Sequence, residues 1–341
     1  MLWGDSQTFQ PYCQPTPTLE PKGPSKAKQP SMSQEPPTPE AQVHEAAHPS
    51  ITAHITERGV IVNGRRLAVA MSNAPRALVA RVPLIVLPEV GSVWEDYRSL
   101  LEHFALERRV FALDWPGFGG SAKPHPGEYS YRAGGYVDVL AGWLDTLGIA
   151  RAVLIGNGIG GAVALRYTAA YPQRVLGLAL LAPVGFVEQT RASRLVSRLL
   201  GAPALLRRLE PLVTSLALGP TTSDTIRAVA ERHRTLRTAA DHMTTLAALS
   251  ALWRDARRPD TDLPAVAKGV RTAAVVIRGA LDPLVTAAEA QRAAEGIGER
   301  GALAVTLPEA GHLPFLQQPE RCFQALAGLL GAAELAAAEL S

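Results

Sequence analysis

The chain is short of the features that usually announce a function. Only two of its 341 residues are cysteines, Cys13 and Cys322. They sit in segments of very different character, so neither a disulfide framework nor a cysteine metal cluster follows, and two free thiols are expected. Net charge is only +3. That balance is too weak and too interspersed to argue for nucleic acid. No 18-residue apolar stretch escapes interruption by charge, Gly or Pro, so no membrane span is expected. The N-terminus, Met1-Leu2-Trp3-Gly4-Asp5, has no basic start and no apolar run, unlike a secretory signal. A reducing cytoplasm is the default expectation.

What is present is unevenly distributed. Residues 1–50 hold ten prolines and few aliphatics, and their three lysines and five acids leave a balance of −2. Such a segment cannot bury enough surface to offset its ordering entropy, so it reads as a disordered tail. Met32 within it is a candidate alternative start. His44-Glu45-Ala46-Ala47-His48 satisfies the H-E-x-x-H zinc pattern. Its place in this tail, with Pro49 next, denies it the buried helix that the chemistry needs, so neither a metal nor a cofactor is expected.

From Ile51 onward, Ile51–Ile61 and Arg66–Met71 flank Asn63-Gly64, a hairpin signal. Short apolar runs then alternate with helical periodicity. The runs are Leu84–Leu87, Val110–Leu113, Ala152–Ile155, Leu176–Leu181, Ala273–Ile277 and Leu303–Leu307. The helical stretches are 94–106, 131–147, 160–170, 286–296 and 318–339. The pattern implies βα units around a mostly parallel sheet covered on both faces. It breaks at 186–263, a helical stretch with twelve arginines over 186–265. The expected organisation is a core of 51–185 and 264–341, with a helical cap at 186–263.

One motif dominates. Val153-Leu154-Ile155-Gly156-Asn157-Gly158-Ile159-Gly160-Gly161 carries a buried strand into a helix through a Gly-x-x-x-Gly turn. This is the context of the G-x-S-x-G nucleophile elbow, with Gly158 at the centre. Gly156–Gly161 also fits G-x-G-x-x-G. However, the turn follows the third apolar run of the alternating set, and no acid ends the next strand at Leu181-Ala182-Pro183, which argues against a dinucleotide site.

Three further segments decide the matter. Asp114-Trp115-Pro116-Gly117-Phe118-Gly119-Gly120-Ser121, Arg278-Gly279-Ala280-Leu281-Asp282-Pro283-Leu284-Val285 and Ala310-Gly311-His312-Leu313-Pro314-Phe315 each follow a strand, and the elbow, Asp282 and His312 come in that order along the chain. Together with the elbow, they resemble the α/β-hydrolase superfamily over residues 51–335. The resemblance implies an α/β-hydrolase fold, Asp282 at the acid position and His312 at the base position. It also implies an oxyanion hole built from the backbone N–H groups of Val90 and Ile159. Ser121 falls on a loop serine of that family, not on its nucleophile. An Asp at a strand end can orient an imidazole and stabilise its charged form, whatever the family. Asp282 and His312 are therefore either functional or paired relics.

Two departures bear on function. A glycine at 158 has no atom with which to attack a carbonyl carbon. Pro88-Glu89 stands where the family has His-Gly before its hole. A Glu89 carboxylate turned inward would oppose the charge that the hole stabilises; turned outward it would be harmless. Trp94 and Trp115 are candidates for the pocket wall or for the core. Arg207, Arg208, Arg257 and Arg258 are a solvated face or selectors of an anionic ligand. The expected function is a pseudohydrolase that binds a small molecule or a partner. The rival is an enzyme that uses the His312–Asp282 dyad without a serine: a hydrolase, a lyase or a cofactor-free oxygenase.

Overall fold

A computed structural model describes residues 54–73, 80–186, 190–220, 223–255, 262–299 and 301–340. The proline-rich segment 1–50, Met32, Cys13, the His44–His48 motif, Arg257 and Arg258 lie outside the described residues, as does the start of the expected hairpin at Ile51–Ala53.

The hairpin forms β1 (Ile55–Val62) and β2 (Arg65–Ser72), in antiparallel register about Val62 and Arg65. Asn63 and Gly64 both take positive φ, 49° and 75°, as a tight hairpin turn with left-handed residues requires. β3 (Leu84–Leu87), β4 (Val110–Leu113), β5 (Ala152–Asn157), β6 (Val175–Leu181), β7 (Ala274–Gly279) and β8 (Leu303–Leu307) follow. The strand order is β1-β2-β4-β3-β5-β6-β7-β8, and the pairs from β4 to β8 are parallel.

The unbroken apolar runs have a simple cause: both faces of the sheet are buried. Ile85, Leu87, Leu154, Leu178 and Leu180 enter one core cluster, while Leu84, Val86, Val153, Ile155, Ala179 and Leu181 enter the other. The first cluster is closed by α2 (Ala133–Thr146), α3 (Ile159–Ala170), α8 (Leu263–Ala267) and α9 (Ala287–Gly296). The second is closed by α1 (Arg98–Ala105), α10 (Pro314–Gln317) and α11 (Pro319–Glu339). The expected helix at 94–106 is a 3₁₀ turn, Trp94–Tyr97, followed by α1. Helix α11 is long and apolar enough to cross a membrane by length and composition alone, though Gly328, Gly331 and Glu334 interrupt it. Its Cys322, Phe323, Leu326, Leu329, Leu330 and Ala333 are instead buried in the second core cluster. Burial pushes the Cys322 thiol up to about 12.

Between β6 and β7 the chain runs through α4 (Arg191–Leu200), α5 (Pro203–Leu218), α6 (Asp224–Thr238) and α7 (His242–Asp255). Polar ties join these helices to the segments that follow the strands. Asp96, in the turn after β3, is fully buried and accepts from Arg232 at 2.7 Å and lies 2.9 Å from His233 Nε2, both on α6. The Thr245 hydroxyl donates to Gly117 O at 3.0 Å. Gln317 Nε2 donates to Leu218 O at 2.9 Å.

The order of the sheet also locates the site. From β3 the chain moves one way to β4, then returns across β3 to β5. In open α/β sheets, ligands bind at such a switch point, outside the carboxyl ends of the strands. Here the flanking loops carry Glu89 and Gly158.

Candidate active site

The elbow forms where the glycine spacing places it. Gly158 has φ 51° and ψ −117°, a conformation that strains an L-residue and costs glycine little. Its neighbour Gly160 is demanded by proximity: a Cβ there would lie 2.1 Å from Leu87 O and 2.5 Å from Pro88 O. The start of α3 is therefore pressed onto the loop after β3. That contact brings the N–H groups of Val90 and Ile159 into reach of one acceptor.

The acceptor is Glu89. Its Oε1 accepts from Val90 N–H at 2.7 Å and its Oε2 from Ile159 N–H at 3.1 Å. The carboxylate thus points inward and occupies the expected oxyanion hole. It also fills the space over the elbow, since a Cβ built on Gly158 would lie 1.2 Å from Glu89 Oε2. The two departures in the sequence are one spatial event: the glycine vacates the volume that the glutamate takes.

The acid and base positions come together. His312 Nδ1 lies 3.0 Å from Asp282 Oδ2, and both side chains are buried. Asp282 is held in turn by Leu284 N–H and Val285 N–H, at 2.8 and 3.0 Å to Oδ1. Arg278 Nε donates to Val285 O at 2.7 Å and folds the acid loop back on β7. The other imidazole nitrogen, Nε2, is 3.7 Å from Glu89 Oε2. Burial by itself lowers the His312 pKa, but the Asp282 and Glu89 carboxylates outweigh it and raise the value to about 9. At neutral pH the imidazole is therefore charged, between two carboxylates.

Neither tryptophan extends the polar site. Trp115 is fully buried, stacks on Tyr136, and its Nε1 donates to Pro88 O at 2.9 Å. Trp94 is also buried, and its Nε1 donates to Glu57 at 2.9 Å. Arg207 and Arg208 are exposed on α5. Ser121 has a structural job. Its hydroxyl donates to Asp114 O at 2.6 Å and accepts from Ala68 N–H at 2.9 Å. Asp114 itself accepts from Trp94 N–H and Gly120 N–H, at 2.7 and 2.8 Å; burial still pushes its carboxyl up to about 8.

Two residues central to the geometry carry no motif signal. Tyr97 is fully buried against Phe315; its hydroxyl accepts from Glu89 N–H at 2.9 Å and donates to Asn157 Oδ1 at 2.8 Å. Gln317 accepts from Gly311 N–H at 2.6 Å, beside His312. Asn157, which lies inside the elbow motif, passes the connection on to Leu181 O at 2.9 Å.

Comparison with known proteins bears on the family and the fold. Residues 68–325 match the family model described as "Alpha/beta hydrolase family". A 2-hydroxy-6-oxo-2,4-heptadienoate hydrolase of Pseudomonas putida is 37% identical over 94 residues, 28% of this chain and 33% of that protein. The acetyltransferase component of an acetoin cleaving system from Pseudomonas putida is 30% identical over 249 residues, 73% of this chain and 63% of that protein. The chain thus spans less than two thirds of these curated relatives. A haloalkane dehalogenase from Bradyrhizobium elkani superposes with a TM-score of 0.66 at 22% identity, covering 83% of this chain and all of that one, which bears on the fold alone. With its family model covering most of the chain, this protein belongs to the alpha/beta hydrolase family.

Proposed function

We propose that the protein is a pseudohydrolase: a member of this family that has lost serine-type acyl transfer and binds a small molecule or a partner. The observation that supports this reading best is the Glu89 carboxylate, seated on the Val90 and Ile159 N–H groups in the volume above Gly158. Acyl transfer needs a nucleophile, a vacant oxyanion hole and a base free to take a proton. Position 158 offers no nucleophile. The hole is filled by a group of the same charge as the intermediate it would stabilise. At about 9, His312 already carries the proton that it would have to accept.

The losses compound. Removing a serine nucleophile costs about 10⁶ in kcat, roughly as much as removing the whole triad. Spoiling a hole donor costs a further ~10²–10³. The hydrolase activity named for the relatives therefore does not carry over to this chain. The helices between β6 and β7 serve, on this reading, as a cap over the site.

The rival is a dyad enzyme, favoured by the short His312–Asp282 contact. At neutral pH that pair offers a proton rather than accepting one, so such an enzyme would be a proton donor first. Turnover by the unmodified protein that disappears in His312→Ala would support it.

The deciding experiment is labelling with a fluorophosphonate probe. The unmodified protein is expected to take no adduct, and the double variant Glu89→Gly/Gly158→Ser to take one at position 158. A stoichiometric adduct on any serine of the unmodified protein would sink the proposal.

A further inference from the structure

Helices α4 and α5 carry surface chemistry that the fold does not use. On α4, Leu195, Val196 and Leu199 fall on one side of the helix, with Arg191 and Arg198 along its edge. All five are exposed, the three aliphatics at 55%, 53% and 45%. On α5, Arg207, Arg208, Leu212 and Leu216 are exposed as well.

The pair is not a loose element whose leucines simply failed to find the core. Both helices pack on α7, and Leu206 of α5 is buried. The turn between them is clamped to α7, because Ser250 Oγ and Arg254 Nη1 both donate to Gly201 O, at 2.6 and 2.8 Å. The outer face is thus presented by a fixed scaffold.

Its charge selects the partner. Residues 191–218 contain five arginines and one acid, Glu210. That acid lies 3.2 Å from His242 Nε2 of α7 and is mostly buried. A second copy of this chain would bring like-charged arginines together. A nucleic-acid backbone would match the arginines but leave the aliphatics unburied. A helix with arginines along an apolar stripe suits the plane of a lipid interface, where the side chains sink to the acyl boundary and the cations meet headgroup phosphates. We infer that the α4–α5 face docks on the surface of an anionic lipid bilayer. This inference is independent of whether the site at Glu89 turns over a substrate.

The test uses the full chain and co-sedimentation with vesicles of phosphatidylcholine alone, or of phosphatidylcholine mixed with phosphatidylglycerol. Binding is expected to the mixed vesicles and not to the neutral ones, and it should weaken as salt rises. Leu195→Ser/Leu199→Ser should lower the partition coefficient at least ~tenfold. Arg191→Ala and Arg198→Ala should each lower it about fivefold. All of these positions are exposed, so the melting temperature should hold and a folding defect can be told apart. Equal binding to both vesicle types, no binding to either, or indifference to the substitutions would overturn the inference. So would a concentration-dependent dimer that the leucine substitutions abolish, since a second copy would then cover the face.

Discussion

The loops after β7 and β8 and the loops after β3 and β5 meet at the same site, yet they carry very different chemistry. The first pair delivers Asp282 and His312, in contact at 3.0 Å, with Asp282 held by loop N–H groups and the neighbour of His312, Gly311, held by Gln317. The second pair delivers a glycine without a side chain and a carboxylate that satisfies both hole donors. The lesson lies in the coupling. The altered half is no ruin, because the Glu89 carboxylate satisfies the Val90 and Ile159 N–H groups and fills the vacated volume. The retained half responds to the alteration, since Glu89 adds a second carboxylate beside His312. A residue-by-residue tally of what is kept and what is lost would miss that the halves now form one charged cluster.

Substitutions can break that comparison. The largest effect is expected from Asp282→Ala in the retained half. It takes from the charged His312 the nearer of its two carboxylates and leaves two loop N–H groups without their acceptor, a loss of about 3–5 kcal/mol, checked by urea unfolding. A small loss would mean that the pair is an idle contact. In the altered half, Gly158→Ser alone should cost about 3 kcal/mol, because its Cβ meets Glu89 and its backbone is strained. Adding Glu89→Gly should recover the clash component. A double-mutant cycle with no coupling would separate the two residues that the geometry joins.

The link between the halves has a pH signature. His312 has a folded pKa of about 9 against the ordinary value of 6.5. Its stabilisation is therefore fully present below pH 6.5 and is lost as pH rises through 9. The drop should approach about 3 kcal/mol, should be seen in denaturation midpoints across that window, and should flatten in His312→Gln. Glu89→Gln should shrink it by removing one of the two carboxylates. The smallest effect is expected from Arg232→Ala, which leaves the buried Asp96 to His233 and costs about 1–2 kcal/mol. If stability were unchanged, the tie from α6 to the turn after β3 would be ornamental.

The scaffold was legible in the chain because its signals are local. Runs such as Leu84–Leu87 and Leu303–Leu307 coincide with β3 and β8, and Asn63-Gly64 makes the turn between β1 and β2. The break at Trp94–Tyr97 was not legible. Its 3₁₀ turn answers to tertiary partners, with Asp96 tied to α6 and Tyr97 to Glu89 and Asn157. The site was half legible. The resemblance to the α/β-hydrolase superfamily pointed to Asp282, His312 and Gly158, and implied Val90 and Ile159 at the hole. The inward turn of Glu89 stayed open, because it depends on a volume cleared by a residue 69 positions away in the chain. Tyr97 and Gln317 stayed hidden for a similar reason: a buried hydroxyl or amide that joins two loops leaves no periodicity behind.

That Tyr97 hydroxyl constrains how the site can open. It holds the backbone of Glu89 and the side chain of Asn157 at once, so the loop after β3 is moored to the elbow strand. Vacating the hole then falls to rotation of the Glu89 side chain about its own bonds, against its two N–H partners and His312. Glu89 behaves as a tethered competitor, present at every encounter in fixed proportion to its own site. Any anion entering from solution must outbid a rival whose local concentration is set by a single side chain. Weak anionic ligands would be screened out by this alone, before their shape mattered.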